Sequence, residues 1–583
     1  VEEERGRMLR EARSMGRVLC VVAFTVLTCL VGCKQDTDNA QSGLQERNVG
    51  CGTREKDRHP TYGGMIVIGS ISEASVLLPV LAPDMPSRRI AELIFNGLVK
   101  YDKDLRLVGD LAERWEMSKD KTIIRFYLRR DVTWHDGKPF TARDVEYTYE
   151  VYCDPKTPTP YASDFLRVKE FRVLDNHTVE VVYDRPYSPA LGSWVEGILP
   201  RHLLEGTDIT KSDLLRHPVG TGPYKFVEWE HGERIVLDAN PHYFRGRPYI
   251  RRVMIRFVLD KATSFLALQS GTLDMATITP MQYSRQSESS WFKQNFNKHK
   301  FLAHAYTYLA YNLQDWKFKD KRVRQALTMA IDREAIVKVI LLGLGRVVDA
   351  PYNPDTFWYN HKVLRFPYNP EKARRLLAAA GWKDRNDDGV IDKDGIPFAF
   401  TILTNHGDDR RMNAATMIQY YLRKVGINVE VRVLEWAALL HNFLYKRNFE
   451  ACIMGWALDF DPNQMDKWHS SKTGPYDYNW MHYQNKEVDR LLELGVSTYD
   501  RKERKNHYDR IQDLLAEDQP CTFLWVHDAL YIVHSRFCGI ELAPVGIDYN
   551  LPEWYVPQRL QQCFMEPVPG GLDQQKSLDN NGE

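Results

Sequence analysis

One short apolar run decides what kind of body the rest of this chain must build. Val18 to Gly32 is an apolar stretch of 15 residues behind five arginines, Arg5, Arg7, Arg10, Arg13 and Arg17. Crossing a bilayer takes about 20 apolar residues. The run therefore reads as a signal segment, with a basic start, an apolar middle and a small residue before the cut. Its end, Leu30-Val31-Gly32-Cys33, has the form of a lipobox, in which the Cys is acylated and the chain is cut before it. Two or three acyl chains hold a protein on a membrane stably where one does not. The expected mature chain starts at Cys33, lipid-anchored, with its body outside the cytoplasm. An uncleaved anchor and a plain secretion signal with a chance Cys are the alternatives. No second apolar segment approaches spanning length. All that follows must fold in water around its own cores.

That body is large. The 583 residues are about four times a typical domain, which predicts two to four domains. Lys and Arg number 78 and Asp and Glu number 78. So balanced a chain has no long-range pull on nucleic acid or an anionic surface. Thirty Tyr and 14 Trp serve a large core and suit an aromatic-lined ligand pocket. The nine Cys form no C-x-x-C, which argues against a zinc ribbon or a thioredoxin-type site. Cys521 and Cys538 flank the strand-like runs Phe523–Val526 and Tyr531–Val533. If those runs fold back on one another, an exported protein could oxidise the two thiols; free buried thiols are the alternative.

Residues 33–60 are polar and read as a flexible tether. Ordered structure is expected from Tyr62-Gly-Gly-Met-Ile-Val-Ile-Gly69. Arg88 to Leu98 carries apolar residues at helical spacing, with Gly97 as its stop. Strands are expected at Thr122–Leu128, His177–Tyr183 and from Arg234. Thr141 suits the N-cap of a helix from Ala142. A helical stretch spans 320–345, and another begins at Pro370 and stops at Gly381. Strand 398–403, a helix over 411–424 and strand 428–433 form a βαβ unit with parallel pairing. Helices follow near 486–494 and 501–517. The tail, 563–583, reads as disordered.

Several segments together resemble a known family. Leu111-Ala-Glu-Arg-Trp-Glu116 precedes Phe126-Tyr-Leu-Arg-Arg-Asp-Val-Thr-Trp-His-Asp-Gly-Lys-Pro-Phe-Thr-Ala-Arg-Asp-Val145. Gly220-Thr-Gly-Pro-Tyr-Lys225 comes next, then Asn312 through Arg333, Asn369-Pro-Glu-Lys-Ala-Arg-Arg-Leu-Leu377 and Gly455-Trp-Ala-Leu-Asp-Phe-Asp-Pro462. In this order they resemble family 5 of the bacterial extracellular solute-binding proteins, the peptide/nickel binders of ABC importers, and among them the oligopeptide binders. The resemblance implies an α/β, two-lobed periplasmic-binding-protein-like clamshell (class II, cluster C) with an extra inserted domain. Domain I would comprise 60–95, 219–304 and 538–562, domain II 96–218 and domain III 305–537. Ligand would be buried between lobes that close about a hinge. The implied role is capture of short peptides for a permease, without catalysis, by a monomer on the outer side of a bacterial membrane. A nickel complex, haem or an oligosaccharide as cargo, or peptide sensing without transport, are the alternatives.

The same resemblance supplies site residues. In Trp456-Ala-Leu-Asp459 the carboxylate of Asp459 would meet a peptide's α-ammonium, a cation that needs an anion once desolvated. Trp436 and Trp456 would line the pocket, and Tyr161 would close over the ligand. The turn Ala82-Pro-Asp84-Met85 would pair its main chain with an extended peptide, a form of β-augmentation. The basic groups that meet a ligand's carboxylate in oligopeptide binders are replaced here, by Ile453 and near Phe443-Leu444. Lys446 and Arg447 are candidates to substitute. Asp384-Arg-Asn386-Asp-Asp388-Gly has the start of a calcium loop, but position 12 is Gly395 where an EF-hand needs Glu. A plain turn is the preferred reading, with no cofactor. No G-x-S-x-G, H-E-x-x-H or P-loop occurs, so nothing here recommends an enzyme.

Overall fold

The computed structural model describes residues 59–474 and 477–563. The expectations for the signal segment, Cys33, the tether up to residue 58 and the tail after 563 fall outside them. Among the described residues, no helix is long and apolar enough to cross a membrane.

Twelve strands form one mixed sheet. Toward one end Met65–Ser70 runs parallel to Arg252–Phe257 and Met275–Thr277. Toward the other, Ala399–Asn405 runs parallel to Asn428–Leu434 and Ala451–Ala457. The 14-residue strand Cys521–His534 joins the halves. Its start pairs with Ala305–Tyr311 and its end with Met275–Thr277 and Phe296–Leu302. The chain passes between the halves a second time just after Leu302, where the Ala303 N–H donates to His527 O at 2.9 Å.

A separate antiparallel sheet holds Ala112–Met117, Ile123–Leu128, Thr178–Tyr183 and Val168–Asp175. Its strands alternate as a one-sided sheet should: Ile124, Phe126 and Leu128 are buried, and their neighbours are not. The helix Ala142–Cys153 covers that apolar face. A capping box starts it, with Thr141 and Asp144 satisfying each other's main-chain N–H.

The helix predicted from Arg88 starts earlier, at Met85, because Asp84 caps it and Pro86 fits its first turn. It ends at Ile94, so Gly97 is not its stop. A Cβ on Gly97 would lie 2.5 Å from Val195 O; the glycine lets two backbones touch. The stretch 320–345 is two helices, Lys321–Ala330 and Arg333–Ile340, because Asp332 caps the second. The 398–434 unit is parallel, as its pattern predicts.

The Cys521–Cys538 pairing is overturned. Cys521 is a free buried thiol, and Cys538 is held in a disulfide. The two runs between them do not fold back. They are one continuous strand, which at about 3.3 Å per residue carries its ends roughly 40 Å apart.

Candidate functional site

In open sheets with parallel strands, ligands bind beyond the C-terminal ends of the strands. Two such edges meet here. One lies after Met65–Ser70, where the chain continues to the turn Ala82–Met85. The other lies after Ala451–Ala457, which delivers Leu458 to Asp461 into the gap between the lobes.

The first wall is built around the Met85–Ile94 helix. Asp84 accepts from Ser87 N and Ser87 Oγ, both at 2.8 Å, and from Ser75 Oγ. Its carboxylate is consumed in capping, so only its main chain remains for a ligand. Met85 is exposed. Tyr161 reaches across from the inserted segment, and its hydroxyl donates to Ala82 O at 2.7 Å. The Arg88 guanidinium lies 4.6 Å from the centre of that ring and pairs with Glu196 at 3.0 Å. Glu92, one turn further on, keeps an exposed surface of its own while the surrounding protein and charges crowd its carboxyl. Burial and the neighbouring Asp548 push its carboxyl up to about 7, against the pull of Arg88 and Arg89.

The second wall is aromatic. Trp456 stacks on Trp480 at 4.7 Å and 14° and meets the edge of Tyr478 at 5.2 Å. Phe460 packs against Tyr101 and His304, each at 4.9 Å. The His304 ring N–H donates to Asp459 O at 3.0 Å and so fixes that turn. Two acids stand on it in different circumstances. Asp461 takes both arms of the Arg504 guanidinium, at 2.7 and 2.8 Å. The Asp459 side chain is exposed and has no hydrogen-bond or ion-pair partner among the described residues. It is near enough to the first wall to help hold the Glu196 carboxyl above its ordinary value, after burial.

The structure thus brings together Asp459, Trp456, Tyr161 and the Ala82–Met85 turn. Trp436 is 44% exposed at the start of the short Trp436–Ala438 helix. The tryptophan that does stack on Trp456 is Trp480. The signal for that residue is the dense aromatic run Tyr478-Asn-Trp480 downstream. Arg447 is not available to a ligand. It adopts a left-handed φ of 58° and donates to Leu444 O, Gly474 O and Asp477 O. Lys446 is exposed, and Ile453 is fully buried. The candidate calcium loop closes on itself. Asp384 accepts from Gly389 N, Asn386 donates to Asp388, and Arg385 takes the Asp392 carboxylate. Among the described residues no three His, Cys, Asp or Glu side chains are placed to hold a metal.

A two-lobed α/β body with an aromatic cleft between its lobes is the architecture of a solute-binding protein. The family model for bacterial extracellular solute-binding proteins, family 5 (middle part), matches residues 106–477, and the chain belongs to that family. It is 34% identical to the oligopeptide-binding protein AppA of Bacillus subtilis over 565 residues, 94% of this chain and 99% of AppA. The solved structure of AppA from Bacillus subtilis in complex with a nonapeptide superposes with a TM-score of 0.75 at 33% identity, covering 85% of this chain and all of the other. NikZ of Campylobacter jejuni, in complex with Ni(L-His), gives 0.75 at 30% identity, over 84% of this chain and 99% of NikZ.

Proposed function

We propose that this protein captures short peptides between its lobes and hands them to the membrane subunits of an ABC importer. It acts as a monomer, lipid-anchored through Cys33, and performs no chemistry on its cargo. The observation that carries the reading is the contrast between two acids two residues apart. Asp461 is consumed by Arg504, while Asp459, its main chain fixed by His304, keeps an exposed and unpaired carboxylate. An anion so placed suits a ligand that brings its own cation, and a peptide's α-ammonium is such a cation. The main chain left over around Pro83 and the Asp84 N–H, and the Trp456–Trp480 stack, suit the rest of an extended peptide, whose backbone gives affinity whatever its side chains. The AppA complex with a nonapeptide supports the same class of cargo.

Mass spectrometry of ligand released from the purified, denatured protein tests this. A mixture of short peptides is the expected result. A single metal chelate, haem or a sugar would overturn it.

A further inference from the structure

The short helix Met465–Trp468 lies between the lobes, with Met465 packed against the cores on both sides. It carries Lys467, whose side chain is 9% exposed. A buried ammonium normally has a counter-ion, because desolvating an unpaired charge costs several kcal/mol. This one has none. No carboxylate among the described residues lies within ion-pair distance, and no hydrogen bond is made by Nζ. The adjacent Asp466 is taken by Lys472 at 2.8 Å. What Lys467 has is the Trp456 ring, whose centre is 5.4 Å from Nζ. Burial holds the ammonium below its ordinary value, with Asp459 the larger of the two acids that oppose the shift. Beside one another, then, stand a buried cation without an anion and an acid without a cation. Lys467 lies over the Trp456 ring, and Asp459 follows Trp456 by three residues.

We propose that Lys467 binds a carboxylate of the ligand. This role stands in place of the basic groups missing at Ile453 and near Phe443-Leu444. It rests on the peptide-binding reading of the cleft and adds a charge requirement to it. Because Lys467 and Asp459 lie close together, the carboxylate recognised is one near the peptide's α-ammonium. Two sources share that chemistry: an acidic side chain at the first or second residue, and the C-terminus of a dipeptide. Trp456, stacked on Trp480, would hold the Lys467 ammonium in place through the cation–π contact.

Calorimetry on ligand-stripped protein tests the proposal with matched probes. Asp-Ala-Ala-Phe is compared with Asn-Ala-Ala-Phe, Ala-Asp-Ala-Phe with Ala-Asn-Ala-Phe, and the dipeptide Ala-Phe with its C-terminal amide. The native protein is expected to favour the carboxylate member of at least one pair by about tenfold or more, the scale of a desolvated charge pair. Which pair responds identifies the source. In Lys467→Met that preference should vanish, while affinity for the neutral member changes by less than about threefold. Lys467→Arg should keep the preference, which separates loss of the cation from damage to the fold. The proposal is overturned if the native protein binds these peptides without preferring a carboxylate, or if Lys467→Met keeps the preference. If none of the six peptides binds, the peptide reading itself fails and takes this proposal with it.

Discussion

Asp459 and Asp461 look equivalent in sequence, yet substitution should affect different observables. With Asp459 making no hydrogen bond or ion pair, Asp459→Ala should move the unfolding midpoint little, the loss being its attraction to the buried Lys467. It should weaken a free-amine peptide by about 2–5 kcal/mol, the cost of stranding one partner of a buried charge pair. Acetylating the peptide should cost the native protein a similar amount and the variant little, and calorimetry on the four combinations measures the coupling. A coupling near zero would make Asp459 a mere turn residue. Asp461→Ala instead strands Arg504, whose side chain is 8% exposed. It should cost about 3–5 kcal/mol of stability, read by denaturant unfolding. Glu92 gives a pH signature. Its carboxyl is pushed up to about 7 in the fold from an ordinary 4.5, so between those values the folded state holds the extra proton. Stability from this group is full below 4.5 and is lost as pH rises through 7. Unfolding followed at pH 5 and pH 7.5 should show Glu92→Gln losing less stability over that interval than the native protein does. An identical slope would mean Glu92 is hydrated like a surface carboxyl.

At the scale of elements, the Gly220-Thr-Gly222 motif has a packing explanation. Gly222 N–H donates to Ile94 O at 2.7 Å, closing the end of the helix that forms the first wall. A Cβ on Gly220 would lie 1.9 Å from that same oxygen. Gly220→Ala must push the segment off the helix end. The expected cost is about 1–3 kcal/mol or more, measured as a lowered denaturation midpoint, with a weaker peptide affinity because Ala82–Met85 moves with the helix. Elements with strong local signals were legible in the sequence. The capped Ala142–Cys153 helix and the 398–434 βαβ unit needed only Thr141 and alternating apolar residues. What was not legible is decided by distant partners. Gly97 reads locally as a stop, and only Val195 O reveals its purpose. Cys521 and Cys538 read as a hairpin because nothing in residues 521–534 says that one strand serves two halves of a sheet. At the candidate site, the family motif points to Trp456 and Asp459. Trp480 and Lys467 were not legible, because they converge on Trp456 from later segments.

For the whole molecule, the two walls are useful only if the lobes open to admit a ligand and close to exclude water. The lobes touch directly at the rim. Tyr499 OH donates to Tyr187 O at 2.7 Å, and Ser188 Oγ donates to Gly495 O at 3.2 Å. Neither residue belongs to the aromatic wall or to the Ala82–Met85 turn, so this contact biases closure without touching cargo. Removing one such hydrogen bond costs about 0.5–1.5 kcal/mol. If closure is what binds, apparent affinity falls in proportion to the closed fraction. Tyr499→Phe should therefore weaken every peptide by the same factor, about 2- to 10-fold, acetylated and free-amine peptides alike. Small-angle scattering should show the ligand-free variant with a radius of gyration at least as large as the native protein's, and both compacting at saturating peptide. A loss that differs from peptide to peptide would place Tyr499 in contact with cargo. No loss at all, with scattering unchanged by ligand, would mean that the lobes do not hinge about the strand Cys521–His534.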